Sequence, residues 1–179
     1  MACRRACRPS IDPSKGTIAS GRAASKAAWL FVVLALSASL LYPAHAMRRE
    51  TLKLLTAQGT HVIDVEIAET PEEKARGLMF RSRLDDKSGM LFFYETPQEI
   101  TMWMRNTYIA LDMVFIRANG VVHRIEAHTV PFSEDIIASR GDVTACLELA
   151  GGAAERLGLK PGDRVEHRFF QPGDKRPRK

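Results

Sequence analysis

The sequence predicts an α+β domain that is mainly antiparallel β, a small barrel-like or sandwich fold with one or two short helices, and three features carry that expectation. Short runs of β-branched and apolar residues recur, each closed by a Gly, Asn or Pro turn. Asn119-Gly120 stands between two such runs and is a dipeptide favoured in tight hairpins. The helical signals, after Thr70 and after Gly152, are too short to cover the faces of a parallel sheet.

Thr51 to Ala57 and His61 to Ala68 read as a hairpin around Gln58-Gly59-Thr60. Thr70-Pro71-Glu72-Glu73 then opens a helix: Thr70 caps it, Pro71 suits its first position, and Glu73 completes a capping box. Gly77 closes it. Asp85 to Gly89 is a turn, and Met90-Leu91-Phe92-Phe93-Tyr94 is a wholly apolar, hence central, strand.

The densest stretch is Thr101 to Ile116, where Arg105, Asn106, Thr107 and Asp112 are set among Met102, Trp103, Met104, Leu111, Met113 and Phe115. It runs into a strand that Asn119-Gly120 folds back as Val121 to His128. A two-residue turn pairs Ala118 with Val121, Ile116 with His123, Val114 with Ile125 and Asp112 with Ala127. Asp112 and His123 then share a face about 13 Å apart along the sheet, too far to form a hydrogen-bonded dyad. Val143 to Leu149 is the next strand, Ala153 to Leu157 a short helix ended by Gly158, and Lys160-Pro161-Gly162-Asp163 a type II turn. Arg164 to Phe170 is expected as the last strand.

Residues 1–46 differ in composition from the rest and read as an export signal. A long basic region carrying Arg4, Arg5, Arg8, Lys15, Arg22 and Lys26 precedes the uncharged run Ala27 to Tyr42, and Ala44-His45-Ala46 offers a cleavage site after Ala46. The domain is then exported, periplasmic or extracellular. An organelle transit peptide and an uncleaved anchor are the alternatives. Cys3 and Cys7 precede the apolar run, so a lipoprotein anchor has no cysteine to use. Six of the 26 basic residues and one of the 21 acidic ones lie before Met47, which leaves 20 of each. A balanced domain gives no electrostatic footprint for nucleic acid. Residues 47–170 make one globular domain, and residues 171–179 a basic, solvated tail. Cys146, the sole cysteine after the leader, has no partner for an internal disulfide and reads as a small buried hydrophobe.

Arg76-Gly77-Leu78-Met79-Phe80-Arg81, Gly89-Met90-Leu91-Phe92, Trp103-Met104-Arg105-Asn106-Thr107, Leu111-Asp112, Asn119-Gly120 and Leu147-Glu148-Leu149-Ala150-Gly151-Gly152 together resemble family 192 of the domains of unknown function. The resemblance spans nearly all of residues 51–168. It implies a small β-rich domain, often exported in bacteria, whose biochemical role is not established. Met102 stands where the family pattern has an aromatic residue, and Ala110 where it has proline, so the loop before Leu111 lacks a fixed backbone angle.

Asp112 shares a buried face with Val114 and Ile116, so its carboxyl must be hydrogen-bonded, paired with Arg76, Arg81 or Arg105, or protonated. That describes a structural group and a pocket group equally. Asn106 and Thr107 either stabilise a turn or present polar groups to a ligand. The ligand-binding set expected from the sequence is Arg76, Trp103, Arg105, Asn106, Thr107 and Asp112, with Trp103 as an apolar platform for a small polar or sugar-like envelope ligand. A hydrolase-type enzyme using Asp112 is one alternative, although no nucleophile elbow, phosphate loop or H-E-x-x-H motif appears. Cuprous ion handling through Met79, Met90, Met102, Met104 and Met113 with His61, His123 and His128 is the other. No catalytic residue, metal ligand or cofactor motif is assigned. The expected partner is a small molecule, with no nucleic acid and membrane contact only through the signal segment; the oligomeric state is left open.

Overall fold

The computed structural model describes residues 47–171. The export-signal reading of residues 1–46 and nearly all of the basic tail lie outside them. In chain order the elements are β1 (Arg49–Thr56), β2 (Gly59–Ala68), α1 (Pro71–Arg76), β3 (Ser88–Met102), β4 (Leu111–Ile116), β5 (Val122–Glu126), β6 (Ile137–Ala150), α2 (Ala153–Arg156), β7 (Arg164–Glu166) and a 3-10 turn, Arg168–Phe170. The seven strands form one mixed, mostly antiparallel sheet of order β5-β4-β6-β3-β2-β1-β7. Only β2 and β3 run parallel, and α1 lies in the crossover between them. The domain is therefore α+β and barrel-like, as its recurring strands and small helices predict, although β3 and β6 run well beyond the expected Met90 to Tyr94 and Val143 to Leu149.

The sheet curls until its two edges meet. Val121 bridges Arg164, the Val122 N–H donates to the Asp163 carbonyl at 2.8 Å, and the Val165 N–H donates to the Gly120 carbonyl at 2.7 Å. One buried cluster draws residues from all seven strands, Leu54, Ile63, Leu91, Val114, Val122, Leu147 and Val165 among them, and so fills the barrel interior. A second, containing Met90, Phe92, Met104, Met113, Phe115 and Cys146, covers the outer face of the central strands β3, β6 and β4. Every residue of β4 is buried, which follows from having a core on each face. Each fully buried Leu, Ile or Phe in these clusters contributes roughly 1.5–3 kcal/mol.

Two expected details differ. Val114 does pair with Ile125, but Ile116 pairs with Val122 rather than His123, because the register shifts after Phe115. The turn is wider than two residues: the Gly120 N–H donates to the Arg117 carbonyl, Gly120 takes a φ of 79°, and Asn119 stays out of the left-handed region while its side chain accepts from the Val121 N–H. The extra residue frees Val121 and Val122 to close the barrel. The last strand also stops early, at Glu166, and turns as 3-10 helix. Phe169 and Phe170 both pack on the interior cluster, and Phe169 stacks on Phe93 with ring centroids 4.0 Å apart. Consecutive residues of a strand point to opposite faces, so burying both requires the turn.

Candidate functional site

On the outer face, α1 and the loop after it form one wall of a pocket of about 220 Å³; the outer part of β3 and the segment Thr101–Trp103 form the other. The sequence fixes that wall locally. Thr70 Oγ1 accepts from the Glu73 N–H at 3.1 Å, and Glu73 Oε2 accepts from the Thr70 N–H at 2.9 Å, so the expected capping box is complete. Gly77 ends the helix at a φ of 48°, and a Cβ there would stand 3.1 Å from the Phe92 ring. The backbone angle strains any side chain at that position and the Phe92 ring would have to give way to it, so the turn down onto β3 favours glycine. Leu78, Met79, Phe92, Tyr94, Met102, Trp103 and Ile136 make most of the lining apolar.

The floor holds a carboxyl group. Glu148 of β6 pairs with Met90 of β3 and Met113 of β4, both members of the outer cluster, and is 4 % exposed. Its Oε2 has no hydrogen-bond partner. Burial pushes the carboxyl up to about 8, against the opposing pull of the Arg81 charge. Arg81 is held elsewhere, donating to both Glu66 oxygens at 3.0 and 2.5 Å, and this pairing lowers Glu66. Glu148 is thus protonated at neutral pH, a neutral acid with an unused oxygen in an apolar cavity. Above it Lys74 sits over the Tyr94 ring at 4.0 Å, and burial lowers Lys74 and raises Tyr94. Arg76 reaches the same cavity and has no ion-pair partner among the described residues.

Of the residues expected from sequence, Arg76, Trp103 and Thr107 line this pocket. Arg105 lies outside it, over the Trp103 ring at 5.3 Å and 3.3 Å from Glu134. Asn106 works through its neighbours: at a φ of 53° it accepts the Phe80 N–H on its carbonyl, and its amide touches the sulfur of the pocket residue Met79 at 3.9 Å. Thr107 accepts the Phe132 N–H on its carbonyl, and Met104 donates its N–H to Ser133. These bonds tie together the segments around Phe80, Asn106 and Phe132, each of which places a non-glycine residue at positive φ. Such costly backbone angles survive only where the surroundings enforce them. The outcome is an exposed aromatic group beside the pocket, in which Tyr108 contacts both Phe80 and Phe132.

Asp112 is elsewhere. It pairs with Leu149 and shares the interior face with Val114, Ile116 and Leu147, opposite to Glu148. Its Oδ1 accepts from the N–H groups of His128 at 2.8 Å and Gly152 at 3.0 Å, and its Oδ2 from that of Ala154 at 2.8 Å. The three arginines offered as partners do not reach it; backbone amides do. Asp112 and His123 are separate, as expected, with His123 beside Arg117 and the Arg140 carbonyl. Met90, Met104 and Met113 fill the outer core without exposure, and Met104 sulfur accepts from Thr129 at 3.1 Å. Among the described residues no group of three or more His, Cys, Asp or Glu side chains converges. Cys146 is buried, and its thiol is pushed well up by burial.

Sequence reasoning quoted Glu148 within a motif and gave it no role. The available signal was a charged residue inside Val143 to Leu149, a strand otherwise free of charge. Alternation puts Glu148 with Cys146, away from Leu147 and Leu149.

A model of the family DUF192, described as "Uncharacterized ACR", matches residues 53–167. No curated protein matches the chain. Among solved structures, a protein of Sinorhizobium meliloti 1021 described as a candidate transcription regulator is 43% identical, with 68% of this chain and 95% of that one covered at a TM-score of 0.66. A protein of unknown function from Novosphingobium aromaticivorans DSM 12444 is 41% identical, with 70% and 90% covered at a TM-score of 0.67.

Proposed function

The chain belongs to the DUF192 family, and we propose that it serves as a binding domain for a small polar ligand, held between α1 and the outer face of the sheet. One observation carries this reading: the unpartnered oxygen of Glu148 at the floor of an open, mainly apolar pocket. A buried polar group without a partner costs about 1–3 kcal/mol, and a ligand that bonds it recovers that energy. The pocket falls below the ~300 Å³ typical of drug-sized ligands, so the occupant is a small metabolite or one unit of a larger polar molecule such as a sugar. Trp103 gives it an apolar wall, Arg76 and Thr107 polar fixing points, and Asn106 and Arg105 hold Met79 and Trp103 in place.

The leader pattern of residues 1–46 supports export, which would make the ligand an envelope molecule. N-terminal sequencing of the secreted protein tests that part, with Met47 as the expected first residue. The balanced charge after Met47 favours a small ligand over nucleic acid, whatever the Sinorhizobium relative contacts. The hydrolase-type alternative would need a carboxyl free to bond substrate; Glu148 lines the pocket with a buried, unbonded oxygen, whereas both Asp112 oxygens are occupied by backbone.

Thermal-shift screening of the protein against polar metabolites and sugars tests the reading. A binder should raise Tm in a saturable way, and Trp103→Ala or Glu148→Gln should abolish the shift. Equal shifts in the parent and both variants would place the ligand elsewhere and reject this pocket.

A further inference from the structure

The pocket contains two unpaired groups of opposite character, and the groups around them are already engaged. Glu148 closes the floor with Oε2 unbonded. Arg76 reaches the mouth from the last turn of α1 and has no ion-pair partner among the described residues. Lys74 is engaged by the Tyr94 ring and lies in the field of Glu69, Glu73 and Glu95. Arg81 is clamped on Glu66. The rest of the lining mixes apolar side chains with Lys74, Tyr94, Thr101 and Thr107.

We infer that the natural occupant is a small zwitterion, an ammonium and a carboxylate on one short apolar frame, as in a free amino acid, with the ammonium on Glu148 and the carboxylate on Arg76. The inference rests on the pocket being the binding site and adds the class of ligand. A polyol would satisfy Glu148 and leave the guanidinium unused. A simple carboxylate would leave the acid unmatched, and a simple amine would leave Arg76 unmatched. A molecule with both charges gives the buried Glu148 and the exposed Arg76 a charge-assisted bond each, stronger than a neutral one. Leu78, Met102, Trp103 and Ile136 give an apolar side chain its contact.

A proton signature follows. The empty pocket holds Glu148 protonated, with Arg81 the cation that acts on it, Lys74 and Arg76 elsewhere on the pocket lining, and Tyr94 and Cys146 the neutral groups within its field. An ammonium ligand turns the acid into a carboxylate, and the proton leaves to solvent. Below a pH of about 8, affinity for such a ligand therefore rises as pH rises, by up to about tenfold per unit. A ligand that instead accepts a hydrogen bond from the neutral acid shows no such rise and weakens above about pH 8.

Isothermal titration of the full chain with L-leucine and L-phenylalanine, at pH 6 and pH 7.5 and in two buffers of different ionisation enthalpy, reads both affinity and protons released. Control titrants are 4-methylpentanoate, 3-methylbutylamine and glucose. The expected result is saturable binding of an amino acid with proton release, at least tenfold tighter than either single-charge control. Glu148→Gln should remove the proton release and weaken binding at least tenfold, and Arg76→Gln should weaken it tenfold with proton release intact. The inference is overturned if no amino acid binds up to ~10 mM, if glucose or 4-methylpentanoate binds as tightly, or if no proton is released. A control that binds and loses affinity in Trp103→Ala leaves the pocket standing while the zwitterion falls. Amino-acid binding unchanged in both Glu148→Gln and Trp103→Ala removes the pocket and the zwitterion together.

Discussion

Asp112 and Glu148 are both carboxyl residues, both buried, on adjacent strands of one sheet, yet they are opposite in every other respect. Asp112 faces the barrel interior and accepts from three backbone N–H groups, those of His128, Gly152 and Ala154, so it fastens α2 and the segment after β5 onto the end of the barrel. Glu148 faces outward beneath α1 with an oxygen bonded to nothing. Burial and charge therefore do not separate a structural carboxyl from a functional one; the state of its hydrogen bonds does.

Unfolding midpoints would break that contrast most directly. Asp112→Asn turns one acceptor into a donor facing an N–H donor and should cost about 3 kcal/mol, since buried groups left unsatisfied cost roughly 1–3 kcal/mol each. Glu148→Gln replaces a neutral acid by a neutral amide of the same shape and should stay within about 0.5 kcal/mol near pH 4, where the folded and unfolded chains are both protonated, and be the more stable form at neutral pH. Equal losses in the two variants would mean that both carboxyls are structural.

The next effect is in pH dependence. Native Glu148 keeps its proton up to about pH 8, whereas the unfolded chain releases it near 4.5, the ordinary value for a glutamate. Between those values the native state holds more protons, so the contribution is full below about 4.5, is lost as pH rises, and levels off above about 8. Urea titrations of the parent should lose stability across that window by at most about 1.4 kcal/mol per pH unit relative to Glu148→Gln. Parallel curves would show that Glu148 is not held protonated.

Smaller effects sharpen the same division. Thr70→Ala removes the cap of the helix that walls the Glu148 side and should cost about 1 kcal/mol, with weakened ligand binding; calorimetry and titration read the two together. Trp103→Ala, at a ring 45% exposed, should cost under about 1 kcal/mol while abolishing binding. An interior change on the Asp112 side, Val122→Ala, should cost more stability, roughly 1.5–3 kcal/mol, yet leave affinity intact.

Much of the architecture was legible because it is written locally. The capping box at Thr70, the type II turn at Gly162 and the alternation that puts Asp112 with Val114 and Ile116 all depend on residues a few positions apart. The hairpin after β4 was legible as a hairpin but not in register, because Val122 is held by Asp163 and Gly162, some forty residues later in the chain. Site residues divide the same way. Arg76, Trp103 and Thr107 meet at one pocket, as residues of mixed polarity in loops suggest, while Asp112 stands on the other side of the sheet. Alternation separates the two faces of a strand but does not say which is roofed. The roof over Glu148 is α1, brought there by the parallel β2–β3 crossover, and no pattern within β6 carries that information.

The seam between Val121 and Arg164 bears on biosynthesis. The stave that closes the barrel, β7, is the last strand of the domain to leave the ribosome, and it must reach both β1, made first, and the turn before β5. Until it arrives, the nascent sheet has two bare margins with unpaired backbone groups, the kind of edge on which chains aggregate. A stop codon just before Arg164 would remove Val165, Phe169 and Phe170 from the interior cluster and would also leave a sheet whose margins have only one another's copies to pair with. Quality control of this fold accordingly falls on the segment from Arg164 to Phe170.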